Sequence, residues 1–155
     1  MVIWKLRRWA STLVYSVALA AIDSTIHAAP PTVDPCTLVT PAEVEQVIGK
    51  LKGAPTSETL GDGVRCGYNF VDENNELEIW ASGGAWSKLL HKDAKQPVMV
   101  RGLGDEAFMD RGKSDPEAVD LYIRKGVTLI VLMTRKALGD EEKLKTLGKK
   151  AVGRL

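Results

Sequence analysis

The sequence has little of what most enzymes need. Two histidines and two cysteines occur in 155 residues, aromatics make up 6% and the formal net charge is +1. It contains no phosphate-binding loop, hydrolase serine elbow, paired-histidine zinc motif or dinucleotide fingerprint. Heptads, low-complexity tracts and fixed-period repeats are also missing, which excludes coiled coils and solenoids. A charge this close to balance argues against a dedicated nucleic-acid or anionic-membrane binder. The longest uncharged stretch, Trp9 to Ile22, runs 14 residues, short of the roughly 20 that a membrane-spanning helix needs.

That stretch nevertheless has a purpose. Lys5, Arg7 and Arg8 precede it, Asp23 ends it, and the small residues and prolines of "STIHAAPP" follow. Positive, apolar and small-residue segments in this order are the pattern of a secretory signal peptide over residues 1–29. Cleavage is expected after Ala28, with Ala29 the alternative, and membrane contact only if the signal stays uncleaved. The twin arginine at Arg7-Arg8 sits in surroundings that fit folded-protein export poorly, so ordinary secretion to the periplasm or beyond is expected. Removal of the signal leaves 126 residues with a net charge near −1, enough for one domain with its own core.

Pro30 to Pro35 reads as an extended leader to a single domain over 36–155. "VTPAEVEQVIG" then carries a complete helix start. Thr40 is a cap, Pro41 suits the first helical position, Glu43 closes a capping box, and Val39 and Val44 are spaced for a hydrophobic staple. The segment "KLKGAPTSETLGDG" reads as loop. Two strands follow, "RCGYNFV" and "ELEIWAS". A turn at Asn74-Asn75 would set Phe70 opposite Ile79, Tyr68 opposite Ala81 and Asn69 opposite Trp80. "GAWSKLLHKDAK" has helical spacing at Trp86, Leu89 and Leu90. "PVMV" and the residues around Ala107 and Met109 read as short strands. "AVDLYIRKGVTLIVLMT" reads as a hairpin turning at Lys125-Gly126, with Ile123 by Thr128 and Leu121 by Ile130. The C-terminal segment from Asp140 is an amphipathic helix with Leu144, Leu147 and Ala151 on its buried stripe, extended by Val152 or Leu155. Because "VTLIVLM" is apolar on both faces, an α+β fold is expected, a mostly antiparallel sheet flanked by helices on both faces.

Cys36 and Cys66 admit four chemistries. A lipid anchor needs a small residue before the cysteine at the end of the apolar run, whereas Asp34-Pro35 stands there. A metal site needs three or four ligands, and only His91 remains in the mature chain. A redox pair favours Cys-x-x-Cys, and these lie 30 positions apart. A structural disulfide in an oxidising compartment is the remaining reading. His91 lies among Lys88, Lys92 and Lys95 with no assignable nucleophile or orienting carboxylate, so it reads as a surface residue. In "RGLGDEAFMD" the glycines suggest an anion site and the carboxylates a calcium site. The spacing fits neither, and a sharp turn between strands accounts for it. Glu76, Glu78 and Trp80 share the face opposite Leu77 and Ile79. With Asn69 and Trp86 they make the candidate ligand or partner face, since carboxylates beside a tryptophan line many sugar and peptide sites. No metal, cofactor or catalytic residue is assigned.

Taken in order, "DPCTLVTPAEVEQVIG", "VRCGYNF", "VRGLGDEAFM" and "LYIRKGVTLIVLM" resemble a domain-of-unknown-function family of small exported bacterial proteins and lipoproteins, LpqN-like in character. The resemblance spans about Asp34 to Leu155. It implies a PsbP-like fold and matches Cys36 and Cys66 to the family's cysteine pair, while no catalytic residues carry over. The chain departs from the lipoprotein members in lacking a lipid-attachment cysteine at the end of the signal. The expectation is therefore a cell-envelope binding or accessory domain that contacts an envelope protein or a small ligand. A lipid or metabolite carrier using Trp80 and Trp86, and a carboxylate-based hydrolase using Glu76, Glu78 or Asp120, are the alternatives.

Overall fold

The computed structural model describes residues 33–83, 94, 97–111, 118–135 and 141–155. The expected signal segment, the helix expected from Gly84, and with them Trp86 and His91, lie outside the described residues. Two short helices open the described chain, α1 (Pro35–Leu38) and α2 (Pro41–Val47). Seven strands follow: β1 (Thr56–Leu60), β2 (Gly63–Asn69), β3 (Glu76–Gly83), β4 (Val98–Met99), β5 (Glu106–Arg111), β6 (Val119–Lys125) and β7 (Thr128–Arg135). Helix α3 (Glu141–Val152) ends the chain. The strands form one antiparallel sheet in the order β1-β2-β3-β7-β6-β5-β4. Two meanders thus meet where the longest strands, β3 and β7, pair over eight positions from Glu76↔Arg135 to Gly83↔Thr128.

One face of the sheet makes the core. Cys66, Tyr68, Leu77, Ile79, Leu121, Ile123, Ile130 and Leu132 alternate inward along β2, β3, β6 and β7 and are fully buried. The three described helices close that face, through Leu38 and Val39, Val44, and Leu144, Leu147 and Ala151. Helix α3 comes close because it passes Gly148 over the sheet, where an added Cβ would lie 2.8 Å from Ile123 Cδ1. Thr134 is buried on the same face without penalty, because its hydroxyl donates to the Val119 carbonyl at 2.9 Å and accepts from the Val119 N–H at 3.3 Å.

The N-terminal segment is held at several points. Cys36 and Cys66 form a disulfide with Cα atoms 5.2 Å apart, which ties α1 to β2. The capping box forms as its sequence requires, with the Thr40 hydroxyl receiving the Glu43 N–H and the Glu43 carboxylate receiving the Thr40 N–H. The buried Tyr68 hydroxyl donates to the Val39 carbonyl at 2.6 Å. Burial, reinforced by the charges of Asp34 and Glu43, pushes the pKa of Tyr68 up to about 12, so the hydroxyl remains a donor. Arg154 from the end of α3 donates to the Leu38 carbonyl and, at 2.8 Å, to both oxygens of Glu43.

Several expectations need correction. The described helices cover one face only, so the fold is mostly a seven-stranded antiparallel sheet with a few short helices, not a sheet flanked by helices on both faces in the PsbP-like manner. Strand β7 is apolar on both faces because Leu129, Val131 and Met133 stand in register between Trp80, Tyr122 and their neighbours on the second face. Both expected hairpin registers shift. Asp72 accepts from the Asn74 N–H and from both asparagine side-chain amides, which widens the β2–β3 loop. Tyr68 therefore pairs with Leu77, Asn69 with Glu76 and Trp80 with Arg65. The second turn lies at Gly126-Val127, pairing Ile123 with Ile130 and Leu121 with Leu132. Each shift is an even number of positions, so every side chain keeps its expected face. The expected leader residue Pro35 instead starts α1, capped by Asp34. The expected loop "TSETL" is strand β1, joined to β2 through the left-handed Gly61.

Two outcomes test this account. Tyr68→Phe leaves the Val39 carbonyl buried without its partner and is expected to cost about 1–2 kcal/mol in denaturant unfolding. An unchanged midpoint would remove the hydroxyl from the account. Glu43 is held well below the ordinary carboxylate value of 4.5, first by Arg154, then by the Thr40 N–H, with Lys150 adding. A depressed folded pKa stabilises the fold above the unfolded value, and this contribution is lost as pH falls. The melting temperature is therefore expected to drop as pH falls from about 5 to about 3, and Glu43→Gln to flatten that drop. Parallel curves for the two proteins would exclude Glu43 as a source.

Candidate functional site

The second face of the sheet carries the residues expected to bind. Rows of side chains cross it from strand to strand, because antiparallel register sets them side by side. One row reads Arg65, Trp80, Val131, Tyr122, Phe108 and Met99, from β2 to β4. The next reads Gly67, Glu78, Met133, Asp120 and Asp110. An apolar and aromatic stripe therefore runs beside an acidic one. Phe108 and Tyr122 stack with centroids 4.7 Å apart and planes inclined by 13°. Val131 and Phe108 are buried, Trp80 and Tyr122 are half-buried, and Met99 is 55% exposed at the end of the row.

Of the expected site residues, Trp80, Glu78 and Asn69 stand on this face, Asn69 apart from the other two. The Trp80 indole lies over Gly63, where a Cβ would come within 2.1 Å of its Nε1. That Nε1 is buried and has no hydrogen-bond partner. Glu78 is neutralised by Arg65 at 3.1 Å, and Arg65 also holds Glu58 at 2.6 Å. Asn69 is at the far end of β2 beside Glu76. It lines an open cleft of about 590 Å³ with Lys52 and Glu73, away from Trp80. Trp86 lies outside the described residues.

The hydrolase candidates are spread out. Met133 stands between Glu78 and Asp120 in the register, and Asp120 accepts from the Tyr122 hydroxyl at 3.4 Å. Burial raises the Tyr122 pKa, with Asp120 and Asp110 adding to it, so the phenol stays protonated. Arg65, Tyr122, Phe108 and Met99 were not among the expected site residues. Alternation in "EAFMD" and "DLYIR" marks Phe108 and Tyr122 as facing away from Ala107, Met109, Leu121 and Ile123.

In "RGLGDEAFMD" residues 101–105 make the turn and Glu106 onward is strand β5, as expected from its glycines. Leu103 is buried in the core cluster. Gly104 is left-handed at φ 64°, and an added Cβ would stand 2.5 Å from the Arg124 carbonyl oxygen. This close passage lets the Asp105 N–H donate to Arg124 O at 2.8 Å. The Asp105 carboxylate meanwhile accepts from the Gly126 N–H at 2.7 Å. One carboxylate thus fastens the β6–β7 turn, and among the described residues no cluster of histidine, cysteine, aspartate or glutamate has a metal-site arrangement.

No family model, curated protein or solved structure matches the chain. Among the described residues no helix is long and apolar enough to cross a membrane.

Gly104→Ala combines left-handed strain with a backbone clash and is expected to cost at least about 2 kcal/mol. Asp105→Ala, which removes hydrogen bonds at a partly exposed site, is expected to cost about 1 kcal/mol. Chemical denaturation ranks the two. An Asp105→Ala loss larger than that of Gly104→Ala would mean the loop has a role beyond the turn.

Proposed function

We propose that this chain is an exported cell-envelope protein that serves as a binding or accessory domain, without catalysis of its own, and that the second face of its sheet is the contact face. The observation that carries the reading is the row Trp80–Val131–Tyr122–Phe108–Met99, an apolar stripe across five strands that surfaces at Met99. Aromatic side chains supply large contact area at small entropic cost, which is why they dominate protein interfaces.

Export is supported by the order of charge, apolar run and small residues at the N-terminus. The Cys36–Cys66 disulfide fits it, since such bonds persist in oxidising compartments. The resemblance of the cysteine and glycine motifs to small exported proteins points the same way. Against a hydrolase, Glu78 is engaged by Arg65 and Asp120 by Tyr122. Against a lipid carrier, the cleft beside Asn69 is open and bordered by Lys52, Glu73 and Glu76.

A photo-cross-linking residue at Glu76, on the contact face, is expected to capture an envelope component when the full chain is exported. The same residue at Lys143, on α3, is expected to give no such adduct. A version without the signal, retained inside the cell, is the control. Equal yields from exported and retained protein at position 76 would sink the accessory reading.

A further inference from the structure

The two edges of the sheet are built differently. Strand β1 is exposed along its whole length, and Thr56, Ser57, Glu58 and Thr59 make it polar. Glu58 is further committed to Arg65. Polar, charged edge strands resist pairing with other chains. At the other edge β4 exposes Val98 by 63% and Met99 by 55%. Proteins normally blunt apolar edges, because the free N–H and C=O groups beside them template further strands. Here Pro97 blunts only the approach to Val98.

The free edge has a definite position. Val100 donates to the Ala107 carbonyl at 2.8 Å, so β4 spends the backbone of Val100 and Val98 on β5. Antiparallel alternation then turns the N–H and C=O of Met99 outward. Next to this edge a cleft of about 260 Å³ opens between β4 and α3, with Val98, Val100, Leu103 and Met109 as apolar walls. The acids at its rim are already engaged, Glu141 by Arg111 at 2.7 Å and Glu142 by Lys145 at 2.7 Å. Arg101 and Lys149 also line the cleft, both exposed, and neither has an ion pair or side-chain hydrogen bond among the described residues. Apolar walls, an outward backbone pair and two uncommitted cations therefore converge on one edge.

We propose that this edge receives an extended segment of a partner protein that carries an apolar residue and, two positions along on the same face, an aspartate or glutamate. The segment adds an eighth strand through the Met99 N–H and C=O. It sets an apolar side chain into the cleft and presents a carboxylate to Arg101 and Lys149. Strand addition gives affinity through the backbone and specificity through alternate side chains. A second copy of this chain is a poorer occupant, because its own edge segment, Pro97 to Arg101, carries no carboxylate to present to Arg101 and Lys149. This inference rests on the binding-domain reading and names the partner chemistry at one end of its contact face, where Met99 belongs to both.

The test uses the mature, disulfide-bonded protein with a short fluorescein-labelled peptide that carries valine and aspartate two positions apart, and the same peptide with lysine in place of aspartate as its charge-reversed counterpart. Fluorescence anisotropy is expected to show saturable binding of the first peptide only, and NMR to show the Met99 amide among the most shifted. Met99→Lys and Lys149→Glu are each expected to weaken binding by about tenfold or more. Thr59→Lys, on β1, is expected to leave it unchanged. Because all three positions are exposed, circular dichroism is expected to show the variants folded. Equal binding of both peptides, no binding of either, or indifference to Met99→Lys overturns the proposal. A concentration-dependent dimer in light scattering that Met99→Lys abolishes also overturns it, in favour of self-pairing. An envelope adduct at position 76 without peptide binding leaves the binding-domain reading standing and removes only this one.

Discussion

The Glu43 carboxylate ties together the two ends of the described chain. It closes the capping box of α2 by receiving the Thr40 N–H, and it receives Arg154 and Lys150 from the last turns of α3. With only 17% of the side chain exposed, these charge-assisted bonds form where water competes poorly. The segment it anchors has a difficult task. Leu38 and Val39 are buried between two short helices, so their carbonyls need partners inside the protein. Arg154 satisfies the first and Tyr68 the second. The disulfide at Cys36 adds a covalent tie to β2 one turn earlier. A four-residue helix and a seven-residue helix are too short to be stable alone. They persist because the sheet, α3 and the disulfide determine their ends.

This arrangement explains which parts of the fold were legible in the sequence. The capping box could be read because it is local chemistry, with Thr40, Pro41 and Glu43 each acting within one turn. The disulfide could be read because the alternatives lacked ligands or a lipid-attachment context. Faces of strands could be read because alternation has period two, and register errors of an even number of positions leave faces intact. The registers themselves could not. They depend on Asp72 gathering three donors and on where Gly126 turns left-handed, which are side-chain and backbone choices that the apolar pattern does not encode. Strand β1 went unread for another reason. An edge strand exposed on both sides has no buried alternation, and only the Gly61-Asp62 turn after it marks a hairpin.

The candidate site was legible in part for the same physical reason. Glu78 and Trp80 sit two apart on one strand, so their shared face follows from the sequence. Asn69 was placed beside Trp80 only through a register that the β2–β3 loop does not allow. The partners that complete the row, Tyr122 and Phe108, come from a meander that joins β3 through β7. No local pattern announces that β3 and β7 are neighbours, because long-range pairing is decided by the packing of both meanders against one helical layer. Apolar character on both faces of β7 was read as a demand for helices on both sides. Among the described residues the second face meets that demand partly from within, through stacked rings and an indole laid over Gly63.

The asymmetry of the sheet edges bears on which of them is open to a further strand. An open sheet always presents two rows of unpaired backbone groups, and a chain that needs none of them can mask both with charge or proline. Here one edge is polar along its length and the other is blunted only by Pro97, just before its first residue. Val98 and Met99 contribute little to the core, so their exposure is not a by-product of packing. Arg101 and Lys149 stand apart from the clusters that secure Glu43 and Asp105, although Lys149 also lies in the last turn of α3, where a cation suits the helix dipole. Apolar surface, outward backbone groups and positive charge then coincide at one edge. Because the apolar row across the second face also ends at Met99, a segment paired there would extend that row by one strand.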